Sequence, residues 1–329
     1  MRDADTIIVG GGPAGSSCAW RLKQRGHDAL ILDQMSFPRV KLCAGWITQK
    51  VLDDLDFVTG DYPHSLQELD ARVHLPPLPF ALNWFPTSHR NYSIRRIEFD
   101  NWLLERAGVP VVEHRAKHIE RVDEFYVLDN SFRCRNLVGA GGTACPVRRA
   151  FFPDTHQRAS QIVTLEQEFD YPDRQDNCHL YFAYRGLKGY AWYVPKADGA
   201  VNIGLGGKAK YFKRSGTNIH EHLRAFVLRL VREGRLDQAT ADAVSYTGHP
   251  YYLASYHGEV QKDRCYLIGD SAGLATVDLG EGIGPAVESG LLAAHAILGE
   301  ADYARAGFTT HSFGGPVGKS ARWLLPVRR

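Results

Sequence analysis

The sequence lacks several features that would assign it to a familiar class of protein. No two of its six cysteines are spaced as C-x-x-C, so neither a zinc site nor a thioredoxin-type redox pair is indicated locally. No apolar run approaches the roughly 20 residues that a membrane-spanning helix needs. No long block of lysine or arginine appears before the last few residues, and the formal net charge is only +2. We therefore expect no metal site, no transmembrane segment and no nucleic-acid partner.

What remains is the composition of an ordinary globular protein. Apolar residues make up 44% and charged residues 23% of the 329 residues. A chain of this length can bury a sizeable core and can hold two compact units. The scattered cysteines fit reduced thiols, and the N-terminal residues are too few and too acidic for a secretory signal, so we expect a cytoplasmic protein.

The N-terminal residues read as a βαβ unit built around a glycine-rich turn. Residues 6–9 and 29–32 are short apolar runs typical of buried parallel strands, and residues 18–25 have helical spacing. The turn between them fits G-x-G-x-x-G, whose glycines permit a tight turn, the approach of a pyrophosphate and close helix–strand packing. A carboxylate at the end of the second strand would accept hydrogen bonds from ribose hydroxyls. The predicted dinucleotide contacts are Gly10, Gly12, Pro13, Ala14, Gly15 and Asp33.

A second pair of glycine-rich turns follows the apolar strand 265–268. A carboxylate just past a strand can hold the ribityl hydroxyls of a flavin, and glycines allow backbone beside the isoalloxazine. A helix predicted from Pro285 to Leu298 would point its positive end at the flavin N1–C2=O edge, which stabilises the anionic reduced flavin. The first turn alone does not separate NAD from FAD, whereas this second signal favours FAD. The residues assigned here are Gly269, Asp270, Gly280, Gly282 and Ile283.

These and other ordered motifs resemble the geranylgeranyl reductase family of flavoproteins, within the p-hydroxybenzoate hydroxylase superfamily. The opening IIVGGGPAGSSCAWRL resembles the family's FAD-binding start. FPRVKLCAG at 37–45 resembles F-P-R-x-K-x-C-G-G, and residues 95–104 resemble the R-x-x-F-D-x-x-L-L helix. YAWYVP at 190–195, followed by GLG at 204–206, resembles the Y-x-W-x-F-P…G-x-G substrate motif. The resemblance implies further FAD contacts from Lys41, Ala44, Gly45, Arg96 and Gly141.

The same resemblance implies a catalytic, substrate-facing set of Cys43, Tyr190 and Trp192. Because side chains alternate along a strand, Tyr190 and Trp192 face one side and Tyr193 the other. Lys41 would favour the thiolate of Cys43. Whether Cys43 interacts with Cys145 stays open.

The sequence also departs from the family pattern. The usual G-A-D-G reads Gly-Ala-Gly-Gly at 139–142, and the missing aspartate counts against direct reduction by NAD(P)H. The electron donor therefore stays open between NAD(P)H and another reductant, such as an electron-donor protein. Ala44 replaces a glycine, Val194 replaces a phenylalanine, and the C-terminal portion is shorter than in most relatives.

We predict an α/β fold in which a Rossmann-like FAD-binding domain of the p-hydroxybenzoate hydroxylase type carries an inserted mixed or antiparallel β-sheet substrate domain. Residues 1–55, 93–155 and 245–329 form the first domain, and residues 56–92 and 156–244 form the second. The predicted function is FAD-dependent reduction of carbon–carbon double bonds in a small, apolar, isoprenoid-like molecule.

Two other functions stay open. One is a monooxygenase or halogenase-type enzyme, since residues 189–195 faintly resemble the halogenase G-W-x-W-x-I-P, although the G-E-S of halogenases is absent. The other is a non-catalytic flavin- or lipid-binding protein. The apolar and basic residues 322–329 allow peripheral contact with an anionic membrane.

Overall fold

The computed structural model describes residues 1–76, 78, 80–83, 90–156, 158–216, 218–254, 258–304 and 307–312. The C-terminal segment 322–329, considered above for membrane contact, lies outside these residues. The chain divides into two compact units. The first contains residues 1–40, 97–160 and the described chain from 251 onward, and the second contains residues 41–96 and 161–250. The functional domain limits given above stay a prediction.

The strands of the described chain are β1 (Arg2–Val9), β2 (Ala29–Asp33), β3 (Trp46–Thr48), β4 (Gln67–Glu68), β5 (Ala71–His74), β6 (Ala81–Asn83), β7 (Asn91–Ser93), β8 (Val111–Glu113), β9 (Ile119–Val122), β10 (Phe125–Leu128), β11 (Phe132–Gly139), β12 (Gln161–Asp170), β13 (Cys178–Phe182), β14 (Gly189–Pro195), β15 (Ala200–Lys208), β16 (Thr247–Tyr252), β17 (Gln261–Lys262) and β18 (Cys265–Leu267). Its α-helices are α1 (Pro13–Gln24), α2 (Gln49–Asp54), α3 (Arg96–Ala107), α4 (Pro146–Phe151), α5 (Ala209–Ser215), α6 (Ile219–Arg232), α7 (Gln238–Ala243) and α8 (Ile283–Ile297). The predicted α/β class is confirmed.

The first unit is built on a sheet with the strand order β17-β18-β11-β1-β2-β8. The pairs from β18 to β8 are parallel, and β17 adds antiparallel to the edge. The apolar runs of β1 and β2 are buried, as a parallel sheet covered by helices requires. In the paired register Val9 lies beside Gly139, which lies beside Leu267. The turns that follow these three strands therefore start at one edge of the sheet.

Helices α1 and α8 pack closely in this unit because a glycine stands at their contact. A Cβ atom added at Gly290 would lie 2.3 Å from the carbonyl oxygen of Ala14. Since no side chain intervenes, the first turn of α1 lies directly against the middle of α8. In the part of the chain described, no helix is both long enough and apolar enough to cross a membrane.

The second unit contains a seven-stranded sheet with the order β16-β12-β15-β14-β13-β5-β6. Strands β12, β15, β14 and β13 pair antiparallel, so their side chains alternate between two faces. One face is the apolar core under α6, which includes Tyr193, Ile203, Leu205 and Phe226. The other, which we call the polar face, carries Thr164, Glu166, Tyr190, Trp192, Asn202, Gly204 and Gly206 in matching register.

Candidate functional site

Three glycine-rich turns meet at the sheet edge of the first unit. Gly10 has a φ of +117°, and a Cβ atom there would lie 2.4 Å from the carbonyl oxygen of Ala140. Gly269 has a φ of +57°, and its added Cβ would lie 3.1 Å from the Cβ of Ala14. The hydroxyl of Ser271 donates to the carbonyl oxygen of Gly142 at 3.2 Å. The turn after β1 and the turn after β18, predicted to hold the two ends of one dinucleotide, are thus neighbours.

The N-terminus of α1 is open to an anion. Gly12 caps the helix without a side-chain hydrogen bond, so the first amides of the helix keep their capacity to donate. A Cβ atom at Gly15 would lie 1.9 Å from the carbonyl oxygen of Gly10, which explains why glycine stands there. At Gly12 an added Cβ would meet only Nη2 of Arg39, at 3.5 Å. A free helix end beside a guanidinium fits a pyrophosphate.

Arg39 lay within a quoted motif, but sequence reasoning did not assign it to the cofactor. Its Nη1 lies 3.8 Å from Oδ2 of Asp100, and its guanidinium lies 4.5 Å from the ring centroid of Phe37. These contacts hold the cation near the α1 N-terminus.

Asp33 lies where a ribose-binding carboxylate is expected. Its Oδ2 accepts a hydrogen bond from the amide of Gly11 at 2.7 Å, and its Oδ1 accepts one from the amide of Met35 at 3.0 Å. Each carboxylate oxygen can accept more than one hydrogen bond, so Asp33 shapes the glycine turn and can still receive ribose hydroxyls.

Asp270 is held at the end of β18 by a histidine that the sequence did not reveal. Nε2 of His156 lies 3.1 Å from the carbonyl oxygen of Asp270 and 3.0 Å from that of Ser271. Because carbonyls only accept, this nitrogen must carry the proton. The imidazole stacks on Tyr252 at 4.2 Å. Burial, with the charge of Arg148, lowers the pKa of His156 to about 4, so the ring is neutral near pH 7.

The loop before α8 completes the first unit's cradle. A Cβ atom added at Gly282 would lie 3.4 Å from Oδ1 of Asp270. The helix begins at Ile283, not at Pro285 as predicted, because proline is tolerated within the first turn of a helix. Oε1 of Glu281 accepts from the amide of Gly284 at 3.1 Å, and burial raises the pKa of Glu281 to about 7. A protonated Glu281 leaves the positive helix end uncancelled.

In the second unit, a fully buried lysine holds the segment that contains Ala44 and Gly45. Nζ of Lys196 donates to the carbonyl oxygens of Ala44 at 2.5 Å and Ile94 at 2.6 Å, and lies 3.4 Å from Oε2 of Glu168. A Cβ atom at Gly45, whose φ is +67°, would lie 2.2 Å from that Nζ. Sequence reasoning missed Lys196, whose position directly after YAWYVP was the only signal.

The predicted substrate residues Trp192 and Cys43 are linked through Asn202. Nε1 of Trp192 donates to Oδ1 of Asn202 at 2.7 Å, and Nδ2 of Asn202 donates to the carbonyl oxygen of Cys43 at 3.2 Å. Added Cβ atoms at Gly204 and Gly206 would lie 2.6 Å and 3.6 Å from the indole ring. The G-x-G of this motif thus makes room for the tryptophan. Partly exposed Tyr190 lies on the same face, while Tyr193 points into the core as alternation predicts.

Lys41 and Arg96 also belong to the second unit. Nζ of Lys41 lies 2.7 Å from Nε2 of His249, and Arg96 is buried at the start of α3. The positive charges of both residues act on the carboxyl group of Glu166. The assignment of Lys41, Ala44, Gly45 and Arg96 to FAD, like that of the first unit's residues, stays a prediction.

All six cysteines are free thiols, so Cys43 and Cys145 are not joined by a disulfide. Cys145 is buried, and its Sγ lies 3.1 Å from a Cβ atom added at Gly139. Sγ of Cys43 accepts a hydrogen bond from the amide of Gly45 at 3.3 Å. In the ranges that the structure describes, no group of three or more His, Cys, Asp or Glu side chains is placed to hold a metal ion.

Known proteins resemble this chain in sequence along most of its length. A family model described as an NAD(P)-binding Rossmann-like domain matches residues 8–61. An uncharacterized protein of Methanosarcina barkeri is 30% identical over 328 residues, which cover 90% of this chain and 75% of the relative. A menaquinone reductase of Mycolicibacterium smegmatis is 27% identical over 336 residues, covering 92% and 79%. Digeranylgeranylglycerophospholipid reductase 3 of Methanosphaera stadtmanae is 26% identical over 317 residues, covering 89% and 77%.

Solved structures share the fold. A geranylgeranyl bacteriochlorophyll reductase-like protein of Thermoplasma acidophilum superimposes with a TM-score of 0.75 at 20% identity, over 99% of this chain and 83% of that one. A flavin-dependent brominase superimposes with a TM-score of 0.66 at 18% identity, over 98% and 83%. At such identities the likeness is one of fold, and it confirms the Rossmann-like architecture.

Proposed function

This chain belongs to the geranylgeranyl reductase family of FAD-dependent oxidoreductases, and on that premise we propose that it reduces carbon–carbon double bonds of an isoprenoid-like small molecule. The observation that carries the proposal is the meeting of the three glycine-rich turns in the first unit, with an open helix end, Arg39, Asp33 and Asp270 around them. FAD, when bound, supplies the hydride. The residues of the chain bind and orient the cofactor.

The chemistry of the second unit supports an apolar substrate. Half-buried Tyr190 and buried Trp192 place aromatic side chains on the polar face, where the two glycines opposite them make room for the indole. Aromatic rings offer an isoprenoid chain a large apolar surface, and the N–H of Trp192 is already bonded to Asn202. Two of the relatives named above are a menaquinone reductase and a digeranylgeranylglycerophospholipid reductase, which supports this class of substrate.

We further propose that the electron donor is not NAD(P)H acting directly. Gly141 stands where hydroxylases of this superfamily carry aspartate, and a Cβ atom there would already lie 3.2 Å from Cα of Cys145. A side chain at this position would therefore require its neighbours to shift by a few tenths of an ångström. A reduced electron-donor protein such as ferredoxin fits this difference.

The test is anaerobic reduction of the FAD-loaded protein by NADH, NADPH and reduced ferredoxin in turn, followed by visible spectroscopy. Addition of geranylgeraniol should then reoxidise the flavin and give a product heavier by two hydrogen atoms. Oxygen consumption coupled to that alcohol would instead favour a monooxygenase or halogenase. A flavin that no donor reduces would favour the non-catalytic alternative.

Cofactor binding is tested separately with a matched pair of variants. Asp270→Asn removes the charge expected at the ribityl chain, and we expect FAD affinity to fall ~10- to 100-fold, as for loss of a charge-assisted hydrogen bond. Asp302→Asn alters an exposed carboxylate of the same unit and should leave affinity unchanged. Equal affinities for the two variants would contradict the assignment of Asp270.

A further inference from the structure

One buried acid on the polar face has no role in the binding contacts described so far. Glu166 lies on β12 opposite Gly204, and only 4% of its surface is exposed. Its Cβ and the indole of Trp192 stand on either side of the space that a side chain at position 204 would occupy, each 2.6 Å from an added Cβ. Glu166 is therefore part of the surface that Trp192 and Asn202 form.

The carboxyl group of Glu166 is only partly bonded. Asn202 hydrogen-bonds to the carboxyl group, whereas Oε2 is buried and has no hydrogen-bond partner in the described part of the chain. Glu168, two residues along the strand on the same face, differs because its Oε1 pairs with Arg95 at 3.1 Å and its Oε2 with Lys196. A buried carboxylate oxygen without a donor is costly, whereas a protonated one can donate.

The charges around Glu166 set its protonation state near neutrality. Burial raises its pKa to about 7, against the opposing positive charges of Lys196, Lys41 and Arg96 and the hydrogen bond from Asn202. Lys41 in turn contacts His249, whose carbonyl oxygen accepts from Thr164 on the same strand as Glu166. An acid with a pKa near the working pH is best suited to deliver a proton and to be recharged.

We propose that Glu166 is the proton donor of the reductase reaction. The proposal rests on the proposed function, since an alkene needs both a hydride and a proton to become saturated. Bound, reduced FAD would supply the hydride that one alkene carbon receives. The other forms its new C–H bond with the proton of Glu166, using the π electrons, as the O–H bond of the acid breaks. Glu166 is left as a carboxylate and must regain a proton before the next turnover.

The protonation state can be read without turnover. Infrared difference spectra of the full chain should contain a protonated-carboxyl band from Glu166 that titrates near pH 7, beside one from Glu281, and only the Glu166 band should disappear in Glu166→Gln. Glutamine keeps the size and the hydrogen-bonding capacity of the neutral acid but has no proton to give. Glu68→Gln, which removes an exposed carboxylate of the same unit, should leave that band unchanged. An identical band in wild type and Glu166→Gln would overturn the proposal.

The proton's destination is tested in single turnovers of pre-reduced enzyme with geranylgeraniol. We expect Glu166→Gln to slow alkene reduction by ~10²- to 10⁴-fold, the usual contribution of a general acid, with FAD affinity and flavin reduction by dithionite unchanged. The wild-type rate should fall as pH rises through about 7, and this alkaline limb of the pH–rate profile should be absent in Glu166→Gln. Glu166→Asp should recover part of the rate.

Two outcomes separate this proposal from the proposed function. If wild type reduces the alcohol and Glu166→Gln is slowed less than about threefold, or keeps the alkaline limb, Glu166 is not the donor. The same conclusion follows if the limb disappears in Cys43→Ser and not in Glu166→Gln. If wild type does not reduce the alcohol with any donor, the proposed function fails and the donor role fails with it, while the infrared titration still reports the acid itself.

Discussion

Replacing Lys196 by methionine should destabilise the second unit more than replacing an exposed lysine of the same unit. Lys196 is fully buried, and its ammonium holds two backbone carbonyls and Glu168 at once. Methionine keeps most of the length and the apolar stem but provides no donor. The carbonyl oxygens of Ala44 and Ile94 would then lose a charged partner, and Glu168 would keep only its contacts with Arg95.

The size of the loss in unfolding free energy follows from the groups that lose their partner, which are Glu168 and the two carbonyl oxygens. Removing one partner of a buried charge pair typically costs ~3–5 kcal/mol. Two carbonyls that lose a donor can each cost ~1–3 kcal/mol, but water entering the space left by the ammonium recovers part of that. We therefore expect the free energy of unfolding to fall by ~3–5 kcal/mol. The pKa of Glu166 should rise further, because one of the positive charges that hold it down is gone.

Urea denaturation followed by tryptophan fluorescence measures the first effect, and infrared titration of the Glu166 carboxyl measures the second. Lys188→Met is the matched control, since Lys188 is exposed in the same unit and should lose less than ~0.5 kcal/mol. A loss below ~1 kcal/mol in Lys196→Met, or a lower pKa of Glu166 in that variant, would refute the reasoning.

Three further predictions test the cofactor cradle and the buried acid. Gly15→Ala places a Cβ atom 1.9 Å from the carbonyl oxygen of Gly10, so titration with FAD should show affinity reduced by at least ~10-fold, whereas Gly60→Ala, with no atom near its added Cβ, should bind normally. His156→Phe removes the donor to two carbonyls of the Asp270 turn, so it should weaken FAD binding ~10-fold and shift the flavin reduction potential. His156→Gln can still donate and should recover part of the affinity and part of the potential. If FAD affinity and potential are the same in the two variants, the hydrogen bonds are not what holds the turn. The pKa of Glu166 is about 7 in the folded chain and about 4.5 in the unfolded chain, so wild type should lose ~3 kcal/mol of stability from this group as pH rises between these values. Denaturation of Glu166→Gln across that range should show a correspondingly smaller decrease of the unfolding free energy with pH. An equal decrease in both proteins would contradict the raised pKa of Glu166.

The glycine-rich turns could be read from the sequence because their requirements are local. Gly10 needs a left-handed φ, and Gly10 and Gly15 leave no room for a side chain. Such demands on the backbone exclude other residues and so leave a motif in the sequence. The alternation that put Trp192 and Tyr193 on opposite faces is equally local. The start of α8 was misjudged by two residues because Pro285 fits the first turn of a helix as well as its first position.

The sequence alone did not identify the residues that fix the backbone of the site by donating to its carbonyl oxygens. Lys196 reaches a carbonyl 152 positions away in the chain, and His156 reaches one 114 positions away. Neither side chain has a spacing that marks it, because the carbonyl oxygens to which it donates are backbone atoms, which every residue has.

By itself, then, the sequence determined the α/β class, the glycine-rich turns and the family, since these depend on backbone constraints and short motifs. Only the tertiary structure decided that burial raises the pKa of Glu166 to about 7 while Glu168 pairs with Lys196. Burial and the positions of neighbouring charges set a carboxyl group's pKa, and both arise only when distant segments pack together.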